Sequence, residues 1–381
     1  MIQPALPSSA ILPNLLPSLV FFIPTLLVGG AERHTVDLCE RLRAKGFTCR
    51  IVVHGSFRSD VITHMKGADD AIFLNLRGMS DFSGWVKTWR VLRDLKPDIV
   101  IAINQSPFIV AVVLRLFLWK KFKLTCIFHT TKMQAFEHYQ EKLLKLGAPW
   151  LDLMIYVGGV QKMFWDRRGL KPKKAKIIFN GIDLERFKLT PSVDIRAQLG
   201  IQHDEFVLGI VASFRPEKNH AELVKALAVA QSKGITARVL MIGEGVTRCE
   251  IEKLAHDLGV LDKIIFTGEQ SDVYPYIKAC NMGVLCSQIE TFPLSVIEFL
   301  ASGVPVIASN VGGLPEIIEH GVNGLLYESG DADDLAAAIL RCSDAKFRTS
   351  LTEHAQNSSQ RFCVERMSDR YANDFLNICH L

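Results

Sequence analysis

From residue 206 onward the chain alternates short runs of Val, Ile and Leu with longer stretches in which apolar residues return every three or four positions. The runs at 206–212, 238–242, 264–267, 282–286 and 304–308 are rich in Val, Ile and Leu on both alternating faces, which predicts buried strands of a parallel sheet. Helical spacing lies between and after them, near 217–233, 247–259, 272–279, 293–302 and 313–319. The first half repeats the pattern, with runs near 19–24, 49–54, 98–103, 124–128, 153–157 and 177–179 and helical spacing at 30–45, 84–95 and 108–119. Repetition of this kind predicts an α/β protein built from two Rossmann-like, doubly wound parallel sheets. With 381 residues the chain is long enough for two domains, each burying its own core. The turn Asn180-Gly181 and the polar stretch 188–204 place the boundary, giving an N-terminal extension over 1–18, a first domain over 19–190 and a second from 191.

Composition narrows the class. Hydrophobic residues make up 49% and charged residues 22%, which excludes a disordered or fibrous chain. The apolar stretch Ala10 to Val28 is interrupted by Pro13, Asn14, Pro17 and Pro24 and has no Lys or Arg ahead of it, so neither a membrane span nor a signal peptide is expected there. Nine scattered cysteines without a Cys-x-x-Cys pair predict reduced thiols and a cytoplasmic setting. The net charge of +4 hides a division: residues 1–190 carry 28 Lys+Arg against 15 Asp+Glu, and residues 191–381 carry 16 against 25. Either the two domains attract across their cleft, or the first half meets an anionic partner such as a membrane surface, through Lys120, Lys121, Lys123 and the Lys171 to Lys176 cluster, with Trp85 and Trp89 nearby in sequence. No nucleic-acid partner is expected.

Facing open sheets bind ligands outside the carboxyl ends of their strands, so the loops there are where chemistry is sought. Gly29-Gly30-Ala31-Glu32-Arg33 opens the first helix, where glycine lets a ligand approach and free amides favour an anion; a tight turn alone would also need glycine. Arg215 and Lys218 stand three apart at a Pro-opened helix start and suit a diphosphate, although Glu217 could neutralise either. In Glu290-Thr291-Phe292-Pro293-Leu294-Ser295-Val296-Ile297-Glu298, Pro293 is expected at the first helical position. Residues 291–294 would then present free amides, and Glu298, set in an apolar helix, would need hydrogen-bond donors such as a pair of sugar hydroxyls; a helix-capping acid with a tolerated surface Glu is the plainer alternative. Glycine turns at Gly243-Glu244-Gly245, Thr267-Gly268 and Gly312-Gly313 line the same edge, and His129 closes a first-domain strand as either a rim histidine or a proton carrier. Asp331-Ala332-Asp333 is read as a helix cap rather than a metal site.

These stretches together resemble the retaining glycosyltransferases of family 4, which have the GT-B fold. The match rests on Gly-Gly-Ala-Glu-Arg at 29–33, His129, Asn180-Gly181-Ile182-Asp183, Arg215 with Lys218, Gly243-Glu244-Gly245, Glu290 with Glu298, and Gly312-Gly313-Leu314-Pro315-Glu316. The Glu-x7-Glu pair is its specific element. The resemblance implies that Arg215 and Lys218 bind the donor diphosphate, Glu298 the ribose, and Glu290, with the amides of Phe292 to Leu294, the transferred sugar. It places the base against backbone from Thr267 to Gln270, Gly30 and its neighbour Gly29 at the phosphate, and His129 near the sugar. Thr291, Pro293 and Gly243 complete the implied donor set, with Glu290, His129, Arg215 and Lys218 as the catalytic group. The second domain would end at 360, with residues 361–381 holding a helix that crosses back to the first. The implied activity is metal-independent, retaining transfer from a UDP- or GDP-linked sugar to a lipid-linked or polysaccharide acceptor, as in lipopolysaccharide synthesis; the expected setting is cytoplasmic, with the basic first half offering peripheral contact with the inner face of the membrane as a separate hypothesis. No cofactor is implied. An epimerase of the same architecture, or a non-catalytic sugar-nucleotide-binding subunit, are the alternatives. Thr291 stands where the family often has glycine, and Gly158-Gly159 where it often has serine and a longer polar residue.

Overall fold

Residues 16–27, 29–55, 67–76, 81–117, 122–131 and 138–379 are described by the computed structural model of the protein. Most of the proposed N-terminal extension, together with Lys120 and Lys121, lies outside the described residues. The first sheet is formed by β1 (Ser18–Ile23), β2 (Thr48–Val53), β3 (Ile72–Phe73), β4 (Ile99–Ile103), β5 (Lys123–Phe128), β6 (Leu153–Tyr156) and β7 (Ala175–Ile177), in the order β3-β2-β1-β4-β5-β6-β7. The second holds β8 (Phe206–Val211), β9 (Ala237–Ile242), β10 (Ile264–Gly268), β11 (Met282–Leu285), β12 (Val306–Ser309) and β13 (Gly324–Tyr327), in the order β10-β9-β8-β11-β12-β13. Neighbouring strands are parallel in both sheets; Phe21, for example, pairs with Ile51 on one side and Ile101 on the other. This explains the uniform apolar runs: helices cover both faces, so β4 is buried at every position and has no polar side to show.

Several elements differ from the sequence expectation. The last first-domain strand lies at Ala175–Ile177, two residues earlier than 177–179, and β3 and β13 are short strands that the apolar pattern does not mark. Helices His138–Gly147, Gly159–Arg167 and Ala345–Ser359 were likewise not anticipated. Asp331 caps the helix Ala332–Ser343, its side chain accepting from the amides of Asp333 and Asp334 at 3.0 and 2.9 Å. Trp85 and Trp89 are half-buried and pack against the first-domain core; among the described residues the exposed tryptophan is Trp150.

The two sheets are joined by packing as well as by chain. One apolar cluster runs from β1 and β4 through Phe292 and Phe362 to Tyr371 and Phe375. Phe179 stacks on Phe292 with ring centroids 5.0 Å apart. The final helix, Val364–Cys379, lies on the first-domain helix Gly30–Ala44, held by Arg41 to Glu365 at 3.0 Å, Lys45 to Asp369 at 2.6 Å and Lys176 to Asp374.

Candidate active site

A crevice forms in an open parallel sheet where strand order reverses, because adjacent loops there leave toward opposite faces. The reversals fall between β1 and β4 in the first sheet and between β8 and β11 in the second. Gly29 and Gly30 follow β1, Arg215 and Lys218 follow β8, and Glu290 to Leu294 follow β11, so most of the candidate residues gather at these two points.

The loop after β8 differs from the helix start expected at 217. Pro216–Lys218 is a single 3₁₀ turn, Asn219 takes the left-handed conformation (φ 51°), and the helix begins at His220. The turn directs the Lys218 ammonium into an ion pair with Glu290, whose Oε1 also accepts from the Ser287 hydroxyl at 3.0 Å. Both partners are largely buried, which strengthens the pair. Arg215 is 54% exposed and loosely tied, its Nε 2.9 Å from Ser213 Oγ and 3.7 Å from Glu217. One cation is therefore fixed and the other is free to move toward an anion.

Close backbone packing sets the Glu290 loop. Gly312 sits at φ +54°, and a Cβ there would lie 1.8 Å from the Glu290 carbonyl oxygen. Gly243, at φ +143°, similarly underlies the β8 loop, where a Cβ would stand 2.2 Å from the Ala212 carbonyl oxygen. Pro293 is the residue before the helix rather than its first residue (φ −73°, ψ 126°), and the helix runs Leu294–Ala301. The free amides thus begin at Leu294, shifting the expected anion site toward Leu294 to Val296. Phe292 turns its ring into the interdomain core, and its carbonyl accepts from Asn180 Nδ2 at 3.1 Å. Thr291 faces the first domain, its hydroxyl 3.4 Å from that of Thr131.

Glu298 is almost wholly buried, and its carboxylate meets a residue the sequence reading passed over: Arg33 Nη1 stands 3.0 Å from Glu298 Oε1. The Gly-Gly-Ala-Glu-Arg run contained that signal, though only its glycines were given a role. At the same helix start, Gly30 is exposed and a Cβ on it would meet nothing within 4 Å, whereas one on Gly29 would lie 2.4 Å from Glu32 Oε2. Glu32 folds back there and accepts from the Thr25 hydroxyl at 3.0 Å, and burial holds its carboxyl above the usual range. Thr267 and Gly268 end β10; the Thr267 carbonyl accepts from Gln270 Nε2 at 2.6 Å.

His129 is anchored by its amide, which donates to Asn104 Oδ1 at 2.7 Å, and its ring lies edge-on to His34 at 4.7 Å. Burial pushes its pKa down to about 3 and drives that of His34 well below its ordinary value. Among the described residues His129 Nε2 has no hydrogen-bond partner. A ring held neutral at physiological pH suits hydrogen bonding better than delivery of a proton.

Two family models match the chain: "Glycosyltransferase Family 4" over residues 28–186 and "Glycosyl transferases group 1" over residues 192–358. The chain belongs to family 4 of the glycosyltransferases. This glycosyltransferase chain is 30% identical over 212 residues to N-acetyl-α-D-glucosaminyl L-malate synthase of Bacillus anthracis, a match covering 55% of each protein. Several other curated relatives are matched over only about half their length. A longer match, 24% identical over 352 residues, covers 87% of this chain and 89% of the UDP-Gal:α-D-GlcNAc-diphosphoundecaprenol α-1,3-galactosyltransferase of Escherichia coli. The chain shares the GT-B fold of the solved structure of Anabaena HepE in complex with UDP, at a TM-score of 0.82 and 22% identity over 94% of this chain and 100% of that one.

The glycosyltransferase's departure at Gly158-Gly159 has a structural reason. Glu316, from the second domain, accepts from the amides of Gly159 at 2.7 Å and Val160 at 2.9 Å, and so sits on the amino end of the helix Gly159–Arg167. A Cβ on either glycine would stand 3.0 Å from a Glu316 oxygen. The bare backbone gives that carboxylate its seat.

Proposed function

We propose that the chain moves a glycosyl group from a UDP- or GDP-linked sugar to a lipid-linked or polysaccharide acceptor, without a metal and with retention of the donor's configuration. The observation that carries the reading is the pairing of Lys218 with Glu290 at the second sheet's reversal, with the exposed Arg215 beside it. A donor diphosphate exchanges one anion for another at Lys218 and draws Arg215 in, so two cations gain charge stabilisation as the phosphate leaves. The displaced Glu290 is then beside the transferred sugar, as the family resemblance implies. Two side-chain cations supply the charge that a divalent ion would otherwise bring, which supports the metal-independent reading. The E. coli relative's diphosphoundecaprenol substrate supports the lipid-linked acceptor.

A screen of nucleotide sugars for released nucleoside diphosphate tests the proposal. Lys218→Ala and Glu298→Ala are expected to lower turnover by about a hundredfold or more in protein that is still folded, each with some loss of melting temperature because a buried partner is left unpaired. Near-wild-type turnover in either variant would remove these residues from the site. Interconversion of the nucleotide sugar without diphosphate release would make the chain an epimerase, and donor binding without turnover a non-catalytic subunit.

Contact with an anionic membrane is the finer part of the proposal. Among the described residues no helix is long and apolar enough to cross a membrane. Lys123, Lys173 and Lys174 gather with Arg115 and Trp150 at the amino ends of β5 to β7, the end of the first sheet away from the cleft. Leu116, Leu146 and Trp150 are 60%, 68% and 48% exposed. Cations interleaved with exposed apolar side chains are what a charged lipid surface binds.

A further inference from the structure

We propose that Arg33 is a positioning residue for the donor: it reaches from the first domain to hold the Glu298 carboxylate ready for the ribose diol, so that the ribose site is complete only while the two domains are apposed. This rests on the donor-site reading above and deepens it.

The physical problem is Glu298 itself. Its side chain is 4% exposed, and its neighbours on the helix, Val296, Ile297, Phe299 and Leu300, are all buried. An ionised carboxylate in such a place is costly unless a countercharge and hydrogen-bond donors accompany it. Lys218 is taken up by Glu290 and Arg215 lies at its own loop beside Ser213 and Glu217, whereas the ion pair of Glu298 among the described residues is with Arg33, from across the cleft.

Arg33 is well placed to supply it rigidly. Its amide closes the first turn of the helix Gly30–Ala44 by donating to the Gly29 carbonyl at 3.0 Å, which fixes the start of the side chain. The Glu298 end is fixed by the same means, for its backbone carbonyl accepts from both the amide and the hydroxyl of Ser302, at 3.1 and 2.8 Å. Between these anchors the bond runs from Nη1 to Oε1 at 3.0 Å. A carboxylate offers about four acceptor positions, so one guanidinium contact leaves room for a diol. An acid-to-arginine pair across a cleft also ties nucleotide affinity to domain closure, because separating the domains takes the cation away from the carboxylate. The opposite role, a lock that the donor must break, predicts the opposite sign and is settled by the same measurement.

The experiment is calorimetric titration of the full chain, wild type, Arg33→Ala and Arg33→Lys, with UDP, GDP and their 2′-deoxy forms. The expected result is that Arg33→Ala weakens the preferred ribonucleotide by about tenfold or more, and that Arg33→Lys recovers part of the loss. The 2′-deoxy form, which offers Glu298 one hydroxyl fewer, should lose affinity by a clearly smaller factor. In turnover assays the donor KM should rise more than kcat falls. Equal losses for both sugar forms would mean that Arg33 does not act through Glu298, and tighter binding by Arg33→Ala would make it a lock; either overturns the inference. Unchanged affinity in both variants overturns it too. If the wild type binds neither UDP nor GDP, the donor-site reading beneath it fails instead. Arg33→Lys keeps the charge, so a folding defect confined to Arg33→Ala leaves the question answerable through the lysine variant.

Discussion

The two strand-order reversals occupy equivalent places in their sheets and carry different chemistry. The second-domain rim holds charges in pairs: Lys218 on Glu290, with Arg215 loosely tied nearby. Among the described residues, the first-domain rim holds backbone amides, the imidazole His129 kept neutral by burial, and the cation Arg33, which reaches to the opposite domain. A shared fold therefore does not impose shared chemistry: the charged side chains at the two rims differ in what they pair with. The two halves also support their loops differently. The Glu290 loop rests on the bare backbone of Gly312, whereas nothing within 4 Å would oppose a side chain at Gly30.

That last contrast gives the largest expected effect. Gly312→Ala forces a Cβ against the Glu290 carbonyl at a left-handed backbone position, so we expect a stability loss of about 2 kcal/mol or more and near-complete loss of turnover. Gly30→Ala should keep stability within about 0.5 kcal/mol, since alanine is tolerated at a helix start, while still impairing turnover if the phosphate approaches there. Denaturant midpoints for the two variants check this; a stable Gly312→Ala protein would break the contrast.

A smaller effect concerns His129. Its folded pKa is depressed to about 3, while the unfolded chain titrates it near its ordinary value, so below about pH 6.5 the unfolded state binds the extra proton and stability falls with falling pH. Asp37, raised to about 6 by burial, works in the opposite sense between pH 6 and its ordinary value near 4, because there the folded state takes up the proton. The test isolates the imidazole: the slope of stability against pH between 6.5 and 4 should be shallower in His129→Gln by up to about 1.4 kcal/mol per unit. Equal slopes would mean that His129 is not held neutral.

The smallest effect belongs to the far end of the first domain. Co-sedimentation with anionic liposomes should weaken about tenfold on replacing Lys173 and Lys174 by Ala, and fade at high salt. Binding indifferent to lipid charge and salt would leave the basic half as a partner for the acidic second domain.

Much of the architecture was readable in the chain itself. Strands covered on both faces read as unbroken apolar runs, and the helices between them keep their three-to-four spacing, so β1, β4, β8 and β11 lie close to where the pattern puts them. The pattern fades where an element is too short to carry a period, as in β3 and β13. It also fails where a local turn competes with a helix, as at Pro216–Lys218. The residue types at 215, 218, 290 and 298 were legible for the same reason that motifs are: their neighbours in sequence already constrain a loop or a helix start.

What the sequence by itself determined is the α/β class, the doubled domain and the stock of charged residues after each strand, because these follow from periodicity and composition over short spans. The partners of those residues were decided only by tertiary structure. Arg33 and Glu298 are far apart along the chain and 3.0 Å apart in space, and Glu316 finds the Gly159 and Val160 amides the same way. The neutrality of His129 is likewise set by what packs around its ring. Ion pairing and desolvation depend on distances and on the exclusion of water, and both arise when segments far apart in the sequence close on one another.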